Sequence, residues 1–264
     1  MEIKKCLPQR ILKGCSLEAF NYQMDPYIGC EHLCCYCYDL NSTDLNWEKE
    51  IMIHEDIIGK LAREIEPLEP QTIYIGMNTD PYQPAEKEYF QTRKVIELLL
   101  EKGFSVSILT KSGLVTRDID LLSSDANSSV GVSIAFHNED IRKLFEKKAP
   151  AVDERVKALQ ELKNSGIRTY TLICPVIPFI TAVEPIIEMV EPYSDAIWIY
   201  KLQMENKKDR NWANVKRIIR DKFPRLTDSF TEVVFAKSHP YWECLRNNLK
   251  SIKKAKAVAI KIEF

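Results

Sequence analysis

From Gln71 onward, short apolar runs alternate with helical periodicities, and this alternation constrains the fold more tightly than any single motif. Thr72 to Asn78, Ser105 to Thr110, Val130 to Phe136, Ile167 to Cys174 and Ala196 to Leu202 read as strands. Between them Gln91 to Gly103, Arg117 to Leu122, Val152 to Ser165 and Val183 to Val190 read as helices, and Trp212, Val215, Ile218, Ile219 and Phe223 mark one face of another. Strands joined by helical crossovers pair in parallel, because the chain must return to the same end before it can run the same way again. A further strand near the cysteine cluster and a helix over roughly Asp56 to Glu66 bring the count to about six repeats. Six fall short of the eight that close a barrel. The expected fold class is therefore α/β, with about six parallel units in a TIM-like parallel barrel or part of one. Residues 1–19 read as a lead-in, 20–205 as the barrel and 206–264 as a basic α/β extension packed on it. In such a barrel chemistry gathers at the C-terminal ends of the strands, where the loops converge.

The whole chain is nearly neutral, with 37 basic and 38 acidic residues, and its charge names no partner. Its distribution is uneven. Residues 201–264 carry 16 Lys/Arg against 7 Asp/Glu, a net of +9, with Trp212, His239, Tyr241 and Trp242 interleaved. That region reads either as a solvated surface capping the barrel or as a face for nucleic acid, Trp212 itself falling on an apolar helix face. The longest apolar run, Ile167 to Val183, is broken by Arg168, Pro175 and Pro178, and the N-terminus lacks a secretory apolar core, so a cytoplasmic location without a membrane partner is expected. No P-loop and no GxGxxG is present. His54 and His137 read as surface or loop residues.

Four of the eight cysteines crowd into residues 30–37, too close together for a disulfide framework spread across a fold. Cys30, Cys34 and Cys37 are spaced C-x3-C-x2-C. Three thiolates on one short loop can bind three irons of a [4Fe–4S] cluster and leave the fourth open, whereas an electron-transfer cluster usually takes four cysteines. The amino and carboxylate groups of S-adenosylmethionine can fill the open position, and Tyr36 can pack over both. The same spacing also suits a structural zinc site with His32, Cys35 or a distant cysteine as fourth ligand. Cys35 itself breaks the spacing and reads as a bystander.

With these residues in view, the sequence resembles the radical S-adenosylmethionine superfamily, and within it the family of spore photoproduct lyase and its DNA-repair-photolyase-like relatives. Asp25 to Tyr38 is similar to the family's N-P-Y-x-G-C-x-H-x-C-x-Y-C-Y, with Asp25 in place of asparagine. Thr79-Asp80-Pro81-Tyr82-Gln83-Pro84, Glu86 and Thr92-Arg93 match the next motif. Thr110-Lys111-Ser112, Arg117-Asp118, Ala149-Pro150, Arg155, Gly166 and Pro175 to Pro178 follow in order, although Phe179 stands where the family usually has glycine. The resemblance covers roughly residues 20 to 200. It implies a partial (β/α)6 barrel and reductive cleavage of S-adenosylmethionine to a 5′-deoxyadenosyl radical that abstracts hydrogen from a substrate. It also implies an electron donor such as flavodoxin or ferredoxin.

On this resemblance the strand-end positions acquire expected roles. Thr79 or Asp80 can accept from the cofactor's ammonium, Lys111 can pair with its carboxylate, Ser112 and Ser133 can bond carboxylate or ribose, Arg155 belongs with this cofactor set, and Ile177 can lie against the adenine. Spore photoproduct lyase returns a hydrogen atom from a cysteine near the end of its second strand. Here Met77 or Asn78 occupies that region, which leaves Cys174 or Tyr38 as expected hydrogen-atom donors. A cobalamin domain would need far more chain before the motif, and beyond Cys37 only Cys174 and Cys244 remain for an auxiliary cluster, so one cluster is expected. The substrate reads as a nucleic-acid base or nucleotide, with a peptide or small metabolite as the alternative. A zinc-stabilised binding module or an electron carrier would be a different class altogether.

Overall fold

The computed structural model describes residues 1–7 and 10–264. Strands β1 (Glu2–Cys6), β2 (Lys13–Gly14), β3 (Tyr22–Met24), β4 (Tyr27–Ile28) and β5 (Glu50–His54) lead to helix α1 (Ile57–Ile65). The repeating units follow as β6 (Thr72–Ile75), α2 (Glu86–Tyr89), α3 (Gln91–Glu101), β7 (Ser105–Thr110), α4 (Ile119–Leu122), β8 (Ser129–Ser133), α5 (Glu139–Phe145), α6 (Val152–Asn164), β9 (Arg168–Val176), α7 (Val183–Val190) and β10 (Ala196–Lys201). Helices α8 (Arg210–Lys222), α9 (Thr227–Phe235) and α10 (Pro240–Ala255) precede a last strand, β11 (Ala259–Glu263).

The main sheet runs β11-β10-β9-β8-β7-β6-β3-β2. Every neighbouring pair from β3 to β11 is parallel, and β2 adds antiparallel to β3. Among the described residues β2 and β11 do not pair, so the barrel is partial, as the six repeats require. A side sheet, β1-β5-β4, flanks the first repeat. The seventh parallel strand, β11, extends the sheet past the sixth repeat; its five residues alternate Ala-Ile-Lys-Ile-Glu, a period-2 signal that the basic character of the region obscures.

One face of each strand meets the helices. Ile73, Ile75, Val106, Ile108, Val130, Val132, Ile173, Ile197 and Ile199 are essentially inaccessible and form one core with Val95, Ile96 and Leu99 of α3 and Leu159 and Leu162 of α6. At roughly 25 cal/mol per Å2 of apolar area this helix-facing layer supplies most of the drive to fold. The alternate residues point into the concavity and carry the chemistry.

Gly76 shows why β6 stops at Ile75 rather than continuing to Asn78. Its φ is 97°, and a Cβ there would collide with the Leu109 carbonyl oxygen and Pro81. The turn starts here so that Met77 to Asp80 can cross the barrel mouth. We expect Gly76→Ala to cost about 2–4 kcal/mol, the sum of left-handed strain and overpacking, visible as a lowered midpoint in thermal unfolding. An unchanged midpoint would mean that the loop adjusts freely.

Candidate active site

The cysteine segment follows β4 and has almost no regular structure, so side chains must hold it. Asp25, at the end of β3, accepts from Asn78 N (2.9 Å), Asn78 Nδ2 (2.7 Å) and Thr79 N (3.2 Å), tying the first strand end to the second. Burial raises its pKa and these three donors oppose the rise. Gln83 donates to the Gly29 carbonyl (3.1 Å) and accepts from Glu31 N (2.9 Å), while Glu31 accepts from Ala85 N (2.7 Å). On the other flank Cys34 bridges Glu146, Cys35 N donates to Phe145 O (2.8 Å), and Lys148 N donates to His32 O (3.0 Å).

Cys30 and Cys34 are buried and Cys37 is half-buried. Burial raises all three thiols, Cys34 to about 12 and Cys37 to about 11. Two kinds of group oppose that rise. Backbone N–H groups of Asp80 and His32 reach the Cys30 sulfur and those of Asp39 and Leu40 reach Cys37. The Lys111 ammonium lies within electrostatic reach of Cys34 and Cys37. Among the described residues no three His, Cys, Asp or Glu side chains gather as a site for one metal ion. A four-iron cube takes one thiolate per iron and does not need them to converge on a point. The donor set, three thiols with N–H partners and a nearby cation, suits a cluster ligated by thiolates.

Lys111 ends β7. Its Nζ donates to Ser133 Oγ (3.2 Å), lies 5.9 Å from the Tyr36 ring centroid, and among the described residues makes no carboxylate ion pair. Burial disfavours its charge, but Cys34 and Glu146 outweigh that penalty and its pKa is raised. Ser133 lies on the concave face at the end of β8. Ser112 accepts from Leu114 N (3.3 Å) and so starts the following turn.

Several expected cofactor contacts turn inward instead. Thr79 is buried and donates to the Tyr27 carbonyl (3.2 Å). Asp80 accepts from Thr110 Oγ1 (2.6 Å), Tyr82 N (2.9 Å) and Lys111 N (2.7 Å), with His32 Nε2 3.2 Å away. Burial works against its charge, yet these neighbours hold its pKa at about 2. Arg155, fully buried, gives its donors to Glu146, the Pro150 carbonyl and the Ser133 carbonyl. These three residues shape the site from behind. Ile177 is also wholly buried, beside Tyr36, Cys34 and Phe145.

The sequence offered no signal for Glu146, which sits in a run of surface-like charges. It is fully buried, accepts from Tyr36 OH and Arg155, and thereby sets the tyrosine that precedes Cys37. His54, read as surface or loop, is a buried end of β5: its Nε2 donates to the Asp25 carbonyl (3.0 Å) and its Nδ1 faces Cys6 Sγ (3.6 Å). Strand periodicity put it on the covered face of a side sheet that the sequence reading lacked. His137 is exposed and Trp212 is core, as expected.

Cys174, half-buried near the end of β9, feels both Lys111 and Cys37, and burial pushes its thiol to about 11. Tyr38 is half-exposed and donates to the Met77 carbonyl (2.5 Å). The two residues are within electrostatic reach of each other.

Breaking the Glu146–Arg155 pair should leave an unpaired buried charge. We expect Arg155→Met to lose about 3–5 kcal/mol in denaturant unfolding, and Glu146→Gln to lose less, because the amide can still accept from Tyr36. Equal, small losses would show that the pair is solvated.

The Radical SAM superfamily model matches residues 24–191. An uncharacterized protein of Methanocaldococcus jannaschii is 27% identical over 247 residues, 89% of this chain and 93% of that one. Spore photoproduct lyase of Clostridium acetobutylicum is 23% identical over 207 residues, 77% of this chain and 61% of the lyase. The chain spans about half, 51%, of the length of the mycobacterial relatives that it matches. Among solved structures, a variant of spore photoproduct lyase with dinucleoside spore photoproduct has a TM-score of 0.72 at 13% identity, covering 99% of this chain and 81% of the lyase. A further lyase variant carries both that dinucleoside and S-adenosylmethionine.

Proposed function

The chain belongs to the radical S-adenosylmethionine superfamily, and from that premise we propose a spore-photoproduct-lyase-like enzyme that abstracts hydrogen from a nucleic-acid base or nucleotide. Membership brings a [4Fe–4S] cluster and S-adenosylmethionine as cofactors. When bound, the pair supplies a carbon-centred radical able to take hydrogen from an unactivated C–H bond. Cys30, Cys34 and Cys37 would each hold one iron, and the fourth iron would take the amino acid end of the cofactor.

The observation that carries the reading is Lys111: a cation near Cys34 and Cys37 whose one described side-chain hydrogen bond is to a serine. Glu146 and Asp80 act on this cation only at a distance, and among the described residues no carboxylate pairs with it directly, so the cofactor's carboxylate has a place beside it. Ser133 and Ser112 stand at neighbouring strand ends to bond carboxylate or ribose. Tyr36, fixed by Glu146, lies below the Lys111 ammonium, and Ile177 belongs to the apolar wall that excludes water. Thr79, Asp80 and Arg155 act through the groups they position. Cys174 and Tyr38 would return a hydrogen atom to the substrate, a reading supported by their electrostatic reach to each other and to Cys37. The electron would come from a flavodoxin- or ferredoxin-type donor.

The nucleic-acid class is favoured by the similarity to spore photoproduct lyase and by the +9 charge of residues 201–264. Among the described residues no helix is long and apolar enough to cross a membrane.

The test is anaerobic reconstitution with iron and sulfide, reduction in the presence of S-adenosylmethionine, and assay of 5′-deoxyadenosine. Alanine at Cys30, Cys34 or Cys37 should abolish both cluster absorbance and cleavage. Lys111→Met should keep its iron and sulfide yet weaken S-adenosylmethionine binding roughly 10- to 100-fold, the worth of a hydrogen bond to a charged group. Zinc in place of iron, or full binding by the methionine variant, would refute the assignment.

A further inference from the structure

The concave face carries aromatic residues that the cofactor site leaves unused. On β10, Ile197 and Ile199 are fully buried against the helices, so Trp198 and Tyr200 alternate onto the concave side, where both remain half-buried. Their ring centroids are 6.5 Å apart and their planes lie 13° from parallel. Strand β11 places Lys261 opposite Trp198 and Glu263 opposite Tyr200. Lys261 is exposed, and its Nζ stands 3.9 Å from the Trp198 ring centroid. On the other side of β10, Cys174 shares the concave face and is within electrostatic reach of Tyr200, Lys111 and Cys37. The face is therefore continuous from the cysteine site to the last strand.

We propose that Trp198 and Tyr200 form a stacking platform for the bases of a single-stranded nucleic acid, with Lys261 holding the adjoining phosphate, so that β11 is a wall of the substrate site. This rests on the radical S-adenosylmethionine reading of the cysteine site. Near-parallel rings on a sheet face offer what unpaired bases need, since every base has a π-face, whereas the bases of a duplex are already stacked inside it. The Lys261 ammonium lies over one face of Trp198, so a base takes the other face while the ammonium adds the phosphate contact. Charge also gives the platform a direction: Glu263 repels phosphate at the Tyr200 end, so the backbone lies toward Lys261 and the bases lie toward Cys174. The proposal assigns binding to these two strands rather than to the basic surface of α10.

The experiment uses the reconstituted full chain and a fluorescein-labelled single-stranded DNA of roughly twelve nucleotides, within the usual span of such sites, alongside the same sequence as a duplex. Fluorescence anisotropy reads binding across a salt series. The single strand should bind more tightly than the duplex, and Trp198→Ala or Tyr200→Ala should weaken it at least fivefold, while Trp198→Phe keeps most of the affinity because a ring remains. Lys261→Gln should weaken binding and flatten the dependence on salt by about 0.7 in log–log slope, the share of one phosphate contact. Equal binding of single strand and duplex, or variants that bind like the parent, would overturn the platform and move nucleic acid to the outer basic surface. No binding of either DNA by the parent protein would overturn the substrate class as well. Iron and sulfide content, measured on the same samples, decides the cofactor reading separately.

Discussion

A loop that must present three thiols cannot also form a ladder, and the rest of the site follows from holding that loop still. Residues 29–37 obtain their restraint from other repeats: the Gln83 side chain from the loop after β6, which bonds Gly29 and Glu31, and the Phe145–Glu146 backbone at the end of α5. Each restraint buries a polar group, and burial costs free energy unless every lone pair and donor is used. That requirement explains the density of hydrogen bonds around Glu86, which accepts from Tyr27 OH, Thr92 N, Arg93 N and Arg117, and around Asp118, which accepts from Tyr82 OH, Arg93 and Arg117. The exception lies in the loop itself: the buried His32 ring has its Nε2 3.2 Å from Asp80 and no hydrogen-bond partner for Nδ1 among the described residues.

The same logic sorts the charges. Asp80 has both carboxylate oxygens engaged, and Glu146 and Arg155 are committed to each other, to Tyr36 and to backbone carbonyls, so all three face the protein rather than a ligand. Lys111 is the contrast: a cation drawn to the thiols by electrostatics and bonded only to Ser133 among the described side-chain contacts. A polar side chain at a strand end is thus distinguished as framework or contact by counting its partners. Residue type alone does not make that distinction.

This is also where the sequence ceased to be legible. The parallel sheet could be read because period-2 and period-3.6 patterns alternate, and the cysteine set because its spacing is short and unusual. The roles of Thr79, Asp80 and Arg155 could not, since a motif marks a position without saying whether its side chain faces the ligand or supports the wall. Glu146 lay hidden in Glu139 to Lys148, a stretch whose charges look solvated until the fold buries one of them. Phe179 shows the reverse case. Its φ of 65° is in the region that favours glycine, which gives the family's usual glycine a physical reason. Here the strained turn is held by the Phe179 N–H donating to Tyr241 OH (3.1 Å) and by their rings at 4.7 Å, a contact from α10 that no local pattern announces.

The concavity itself has two ends with different contents, and this decides where a substrate can lie. Toward the starts of the strands Tyr170 lies across β8, its OH donating to the Ile108 carbonyl (3.1 Å), and Gly131 has no side chain because a Cβ would strike the tyrosine ring. Tyr74 lies beside it, with the Phe20 ring tilted 44° against it at 5.2 Å, so the lower half is filled by packed rings. Toward the strand ends the inward positions become Lys111, Ser133, Cys174 and Tyr200, polar or reactive groups that do not plug the space. A floor of aromatic packing thus lies beneath a mouth of single functional groups. The gap between β2 and β11 lies to the side, so among the described strands the concavity is bounded by two sheet edges rather than by a closed ring of strands.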